Sequence, residues 1–261
     1  MKRKILISTM LVLLIGLLTF SLVSADGHEA MVTVIHGIPG ADFDLDPTLP
    51  VDVCVDGAAL IPDFLYRDQV GPVPIPTGTY DIAVQLAEGI EAGDACGGTN
   101  VLYLPGVAVP GGENLTIIAH RTGDGSPGAG DVLVLGITAS IFVNDVSDIV
   151  AGKARLTIRH TAQAPAVDIP LYRGWRGGRP IMTIEDLDNP NQAGPLDVRP
   201  GGYFFSLDVD GLGTVFGPEF LELPYPHKSY IVYAVGSYPD TFELMLQILD
   251  LEKVPPSRYK P

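Results

Sequence analysis

The chain has 261 residues, with 16 basic and 31 acidic side chains, and its formal net charge is −15. This balance argues against nucleic-acid and anionic-lipid partners, because both require a basic surface. The charge is also uneven. Residues 26–150 hold 2 basic and 18 acidic side chains, net −16, whereas residues 151–261 hold 11 and 13, net −2.

The first 25 residues have the pattern of a secretory signal. Lys2, Arg3 and Lys4 precede a long apolar run, and Ser24 and Ala25 supply the small residues that signal peptidase requires. We therefore expect a secreted or cell-surface protein, exported through the general secretory route. The apolar run is long for a cleaved signal, so an uncleaved anchor is the alternative, and membrane contact is expected only in that case.

Short stretches with a period of two follow, separated by Gly and Pro, which predicts an all-β fold. Six or seven such strands in about 115–120 residues is the size of an immunoglobulin-like β-sandwich. We expect the last strands of the two halves at Val132–Ile137 and Phe242–Leu249, the latter with Gln247 facing outward. Pro170 lacks a ladder donor, so its strand is expected at a sheet edge.

The pattern occurs twice in the chain. His36 and His160 are 124 residues apart, and Tyr80 and Tyr203, each after a Pro/Gly turn, are 123 apart. A nearly constant offset indicates duplication. The prediction is a signal segment at 1–25 and two tandem β-sandwich domains at 26–150 and 151–261, placed end to end because the connection is short.

The segment ARLTIRHTAQAPAVDIPLYRG at 154–174 resembles the signature of the domain-of-unknown-function family 4397, V-H-A-S-P-D-A-P-x-V-D-V-x-x-D-G. The second copy matches at His160, Ala164-Pro165, Val167-Asp168 and Gly174; the first matches at Val34, His36, Pro39, Val51-Asp52-Val53 and Asp56-Gly57, interrupted by eight extra residues. The resemblance implies an exported bacterial β-sandwich domain, found in tandem, without an established activity.

The histidines of this motif are predicted to anchor loops. Strand parity places His36 and His160 on the core side, where each imidazole can bond the backbone of the following Pro loop. Asp52 and Asp168 are expected to point outward and cap amides of the same loop. The alternative is a ligand-binding or catalytic role.

Cys54 and Cys96 are the only cysteines. In an exported chain we expect them to form a disulfide. The loop that it closes spans about 43 residues, which corresponds to roughly 4 kcal/mol in the chain-entropy model.

The insertion in the first copy carries Asp42, Asp44 and Asp46, whose spacing resembles the start of a calcium loop. The sixth place, however, is Pro47 instead of Gly, and the twelfth is Val53 instead of Glu. We therefore predict a solvated acidic loop without a metal or other cofactor, and a calcium site of another geometry is the alternative.

A basic tip with aromatic residues follows the second motif. Tyr172, Arg173, Trp175 and Arg176 are candidates for ligand binding, because a ring among arginines can stack on a sugar or meet an acidic partner. The expected partner is a protein or glycan at the cell surface. The ring could equally fold back over the sandwich.

The chain lacks G-x-S-x-G, H-E-x-x-H and P-loop motifs. We therefore predict a non-catalytic surface or extracellular module with a binding or structural role. The alternative is an extracellular enzyme or hydrolase accessory subunit whose carboxylates, with or without calcium, form a site on loops.

Overall fold

The computed structural model describes residues 29–174 and 178–251. These residues form sixteen β-strands and one short 3-10 helix, Gly40–Phe43. The all-β prediction is confirmed. Across the described ranges, no helix has the length and apolar character needed to cross a bilayer.

The first sandwich contains eight strands in two sheets, with orders β4-β1-β7-β8 and β3-β2-β5-β6. Within it, β1 and β7 run parallel. Its strands are β1 Ala30–His36, β2 Val51–Val55, β3 Ala58–Phe64, β4 Gln69–Ile75, β5 Gly78–Leu86, β6 Asn100–Val109, β7 Asn114–Arg121 and β8 Ile137–Val143.

The second sandwich repeats this topology strand for strand, with sheets β12-β9-β15-β16 and β11-β10-β13-β14. Here β9 and β15 are the parallel pair. Its strands are β9 Ala154–His160, β10 Val167–Arg173, β11 Met182–Leu187, β12 Gln192–Val198, β13 Gly201–Val209, β14 Gly213–Leu223, β15 Lys228–Val235 and β16 Glu243–Asp250. Two tandem sandwiches are therefore present, each with eight strands instead of the six or seven expected.

Local details repeat as well. The Tyr80 hydroxyl donates to the Pro76 carbonyl at 2.8 Å, and the Tyr203 hydroxyl donates to the carbonyl four residues before it, that of Arg199. Gly71 in β4 and Gly194 in β12 both have positive φ angles, 126° and 104°. A Cβ at either position would lie 2.4 or 2.7 Å from a carbonyl oxygen of the neighbouring strand, so only glycine fits.

Each sandwich has its own apolar core between its two sheets. The second core includes Leu156 from β9, Ile169 from β10 and Phe205 from β13. The first core includes Val53 from β2, Val84 from β5 and Leu115 from β7. These residues lie on the inward-facing side of their strands, where side chains alternate between the two faces.

The sandwiches pack face to face and not end to end. Sheets β4-β1-β7-β8 and β12-β9-β15-β16 turn their outer faces toward each other and bury a third apolar cluster, so the molecule has four layers of sheet. The cluster consists of Ile35, Ile118, Phe142, Ile231, Tyr233, Val235, Met245 and Leu249. The short connection permits this arrangement, because it only has to reverse the chain between β8 and β9.

Polar groups also cross this contact. Arg159 of β9, only 1% exposed, donates to the side-chain amide oxygen of Asn144 at 2.8 Å and to the Tyr233 hydroxyl at 2.6 Å. Its guanidinium lies 4.3 Å from the centre of the Phe142 ring. The Thr116 hydroxyl donates to Gln247 at 3.2 Å. Burial without a carboxylate partner lowers the pKa of Arg159.

Three expectations about strands were wrong. The last strand of the first sandwich is β8, while the segment predicted at Val132–Ile137 is mostly turns and bends in which Val134 has a φ of 60°. Gln247 is buried, because its face of β16 is covered by the first sandwich. Pro170 lies in an interior strand, between β11 and β13, at a point where β10 has no registered partner on β13.

The buried arginine provides a test of the face-to-face contact. Arg159→Ala leaves the Tyr233 hydroxyl and the Asn144 side-chain oxygen without this donor, so we expect the free energy of unfolding to fall by roughly 2–4 kcal/mol. Arg67→Ala is the matched control: it removes an exposed arginine that pairs with Glu243 across the same contact at 3.1 Å. We expect a loss below about 1 kcal/mol there. Urea denaturation measures both, and equal small losses would contradict the buried network.

Candidate functional site

His36 ends β1 and is buried inside the first sandwich. Its Nε2 lies 3.0 Å from the Leu49 carbonyl, and its Nδ1 accepts the Ile38 amide at 3.3 Å. The imidazole thus connects the two ends of the loop between β1 and β2. Burial lowers the pKa of His36 from 6.5 to about 4, because the charged form would lose its hydration. It is therefore neutral at pH 7.

His160 occupies the equivalent position in the second sandwich. Its Nε2 lies 3.0 Å from the Pro165 carbonyl, across the shorter loop that precedes β10. Its Nδ1 is buried without a hydrogen-bond partner among the described residues. Burial is again the main cause that lowers its pKa. The two imidazoles thus lie at equivalent strand ends of separate sandwiches.

The two motif aspartates make different contacts from those expected. Asp52 is fully buried and accepts the amide of Asp63 at 3.0 Å and that of Glu88 at 3.2 Å. Asp168 accepts the amide of Asp186 at 2.9 Å. Both partners, Asp63 and Asp186, have φ angles near +50° in the neighbouring strand. The carboxylates therefore cap equivalent kinks in β3 and β11, and not the loop that follows the histidine.

Cys54 and Cys96 form the predicted disulfide, with their Cα atoms 6.4 Å apart. The Cys96 amide also donates to the Gly57 carbonyl at 2.9 Å. The bond fixes the long loop between β5 and β6 to strand β2. No disulfide exists at the equivalent place in the second sandwich, where Pro170 stands in β10.

The three aspartates of the insertion do not converge on one point. Asp42 lies 3.4 Å from Nε of Arg121, which belongs to β7 of the same sandwich, and accepts the hydroxyl of Ser237 from the second sandwich at 2.7 Å. Asp46 instead accepts the Thr48 amide at 2.9 Å. Within residues 29–174 and 178–251, no three His, Cys, Asp or Glu side chains are placed to hold a metal ion. Asp42 therefore acts in the contact between the sandwiches.

This contact around Asp42 is a second buried polar cluster between the repeats. The Arg121 guanidinium donates to the Gln163 side chain and to the Leu135 carbonyl, and the Thr241 hydroxyl donates to Asp42. Burial is the largest influence on the Arg121 pKa and lowers it. The insertion, which looks like an independent loop in the sequence, is thus held by the second sandwich.

The basic tip is described only in part. Tyr172 is half-buried at the end of β10, and the exposed Arg173 donates to the Pro200 carbonyl at 3.4 Å. Trp175 and Arg176 lie outside the described residues. The ligand-binding role of this tip stays a prediction.

Sequence reasoning missed the residues that join the two sandwiches. A signal was present in β7 and β15, whose apolar residues are nearly continuous, as in Tyr230–Val235. Strands that are buried on both faces have such runs. The outer face of β1 is also apolar, with Met31 and Ile35 where β9 has Arg155 and Arg159.

Together these features define a duplicated β-sandwich protein whose motif residues are hydrogen-bonded internally. A family model described as "Domain of unknown function (DUF4397)" matches residues 30–170, more than half of the chain, and the chain belongs to this family. The match covers the first sandwich and ends within β10 of the second.

Two further comparisons accompany this match. A search of the curated proteins finds no match. Among solved structures, the chain is similar to one described as "The Bacillus anthracis TIE protein", with 8% sequence identity and a TM-score of 0.24. The similarity covers 80% of this chain and 50% of that one, so the chain spans about half the length of that protein.

The buried histidines predict how stability depends on pH. The folded-state pKa values of His36 and His120 are both about 4, against 6.5 for an unperturbed histidine. The unfolded chain therefore takes up protons between pH 6.5 and 4 that the folded chain does not. Above pH 6.5 the contribution of these histidines to the free energy of unfolding has its full value. Below pH 6.5 the free energy of unfolding falls, and the slope approaches ~1.4 kcal/mol per pH unit for each histidine.

Urea denaturation between pH 7 and 5.5 measures this slope before most carboxylates titrate. His36→Gln and His120→Gln should each reduce the slope, whatever they do to stability at pH 7. Unchanged slopes in both core variants would contradict the assignment.

Proposed function

We propose that the protein is an exported, non-catalytic module that acts outside the cell or at its surface in a binding or structural role. The observation that carries this proposal is the internal use of the motif residues. His36, Asp52, His160 and Asp168 all bond backbone groups of their own sandwich. Groups engaged in this way stabilise loops, whereas a nucleophilic or acid–base site needs them to face a substrate.

The contact between the sandwiches supports a role as one stiff unit. An apolar cluster and two buried polar clusters hold the central sheets together. A contact that is largely buried restricts relative motion of domains. The Cys54–Cys96 disulfide is compatible with an oxidising compartment outside the cytosol. The chain can then present its loops at a constant separation.

Export can be tested in a bacterial host by comparing the full chain with a variant that lacks residues 2–25. The full chain should leave the cytosol, begin at Asp26 by mass spectrometry of its N-terminal peptide, and carry an oxidised Cys54–Cys96 pair. The shortened variant should stay in the cytosol. Retention of the full chain in the cytosol with free thiols would refute export.

The surface partner, a protein or a glycan, can be sought with a cell-wall and glycan binding screen. Trp175→Ala should weaken any binding that depends on the basic tip at least tenfold. Tyr225→Ala is the matched control, since it removes an exposed aromatic residue elsewhere on the second copy. Equal binding by all three proteins would exclude the tip as the contact.

A further inference from the structure

The first sandwich contains a cavity between its two sheets, with a volume of about 290 Å³. The equivalent space in the second sandwich has only about 20 Å³. Both cavities lie next to the motif histidine. Because the two sandwiches share one topology, the second is an internal reference for how completely this core can be filled.

The difference in cavity volume between the two sandwiches has a cause in the sequence. At six equivalent core positions the second sandwich carries the larger side chain. The pairs are Val34 and Ile158, Val53 and Ile169, Ile82 and Phe205, Val84 and Leu207, Ile137 and Phe242, and Ala139 and Leu244. The first sandwich has the larger residue at other core pairs, such as Phe64 and Leu187, Val70 and Ala193, and Ile117 and Val232. Protein cores are ordinarily packed to the density of organic crystals, so a space of this size is exceptional.

The lining excludes water as the natural occupant. It is formed by aliphatic and aromatic side chains, and its only polar side chain is His36. Both nitrogen atoms of that imidazole already have partners in Leu49 and Ile38. A buried water needs two to four polar partners, and apolar cavities without them stay dry and take up apolar molecules.

The cavity has an apolar mouth. Leu45, Leu86 and Leu133 line it, yet they are 47%, 45% and 45% exposed. They come from three separate segments: the chain after the 3-10 helix, the end of β5 and the loop before β8. Exposed apolar side chains that lie together on a protein surface mark ligand-binding grooves or interaction sites.

The chain segments that carry the three mouth leucines are acidic in sequence. Asp44 and Asp46 flank Leu45 in the chain, and Glu88 and Asp131 lie two residues from the other two leucines. Residues 26–150 contain only two basic side chains, Arg67 and Arg121. Both are paired, with Glu243 and with Asp42. An anionic head group at this mouth would meet repulsion without a compensating cation.

We propose that the first sandwich binds one alkyl chain in this cavity, with an uncharged or cationic head group at the mouth. Since a 150 Å³ cavity admits benzene, 290 Å³ corresponds to roughly ten to twelve carbon atoms. This inference deepens the proposed function, because it names the ligand of a binding module. It does not depend on export.

The test uses three probes of equal length, 1-decanol, decylamine and decanoate, with the purified chain at pH 7. Calorimetric titration and the shift in melting temperature report binding. We expect saturable binding of one molecule of decanol or decylamine, and at least tenfold weaker binding of decanoate. Asp44→Asn combined with Glu88→Gln should bring the affinity for decanoate closer to the affinities for decanol and decylamine.

A filled variant locates the site. Ile82→Phe with Val84→Leu introduces at these two positions the residues that the second core has there. This variant should no longer bind the probes, and its melting temperature should stay the same or rise. Ala139→Leu alone is the milder version in case the double variant does not fold. Leu212→Ala, an exposed leucine on the second sandwich, is the control and should bind as the parent chain does.

Three results would overturn the proposal. The first is no binding of decanol or decylamine up to their solubility limits. The second is unchanged binding by a folded, filled variant, which would place the site elsewhere. The third is equally tight binding of decanoate, which would refute the head-group selection. None of these bears on export, which the localisation experiment tests separately.

Discussion

The packing of the two central sheets against each other is the contact on which the rest of the molecule depends. A sheet in a lone sandwich buries one face, but these sheets bury both, so the residues that point away from a core are also removed from water. Buried polar groups must be hydrogen-bonded. Arg159, Asn144 and Tyr233 satisfy one another across the contact. Their geometry therefore fixes how the two sandwiches sit together.

Local patterns were sufficient for the all-β class and for the duplication, but not for every strand, since β8 was misplaced. Alternation and turn residues act within a few positions, and the spacing of Tyr80 and Tyr203 registers the two copies along most of their length. The face-to-face packing was not accessible in the same way. The alternation in β16 indicates two faces, but which surface covers Gln247 depends on Thr116, more than one hundred residues away.

Among the site residues, those that depend on local sequence patterns could be predicted, whereas those that depend on partners distant in sequence could not. His36 and His160 follow from strand parity and the adjacent loop, and the disulfide follows from two cysteines in a chain with a predicted export signal. Asp52 and Asp168 were assigned the wrong partners, because a kink in the next strand leaves no local signature. Asp42 looked like a metal ligand because Arg121, which neutralises it, is distant in sequence.

The two copies have diverged in how they use one topology. In the second, larger side chains fill the core, and most of the basic residues of the chain lie in this half. In the first, smaller side chains leave a cavity, and the disulfide ties β2 to the loop before β6. A core with fewer packing contacts is thus combined with a covalent cross-link. The two copies therefore differ in core packing, in charge and in cross-linking.

The position of β1 has a mechanical consequence. This strand is the first of the fold, yet it lies inside its sheet, bonded to β4 on one side and to β7 on the other. Traction on the chain ahead of residue 29 enters the fold through it. Inter-strand hydrogen bonds run across the strands, so a force along β1 loads the hydrogen bonds to β4 and to β7 in shear and at the same time. The hydrogen bonds of an edge strand that is peeled from its sheet would break one after another.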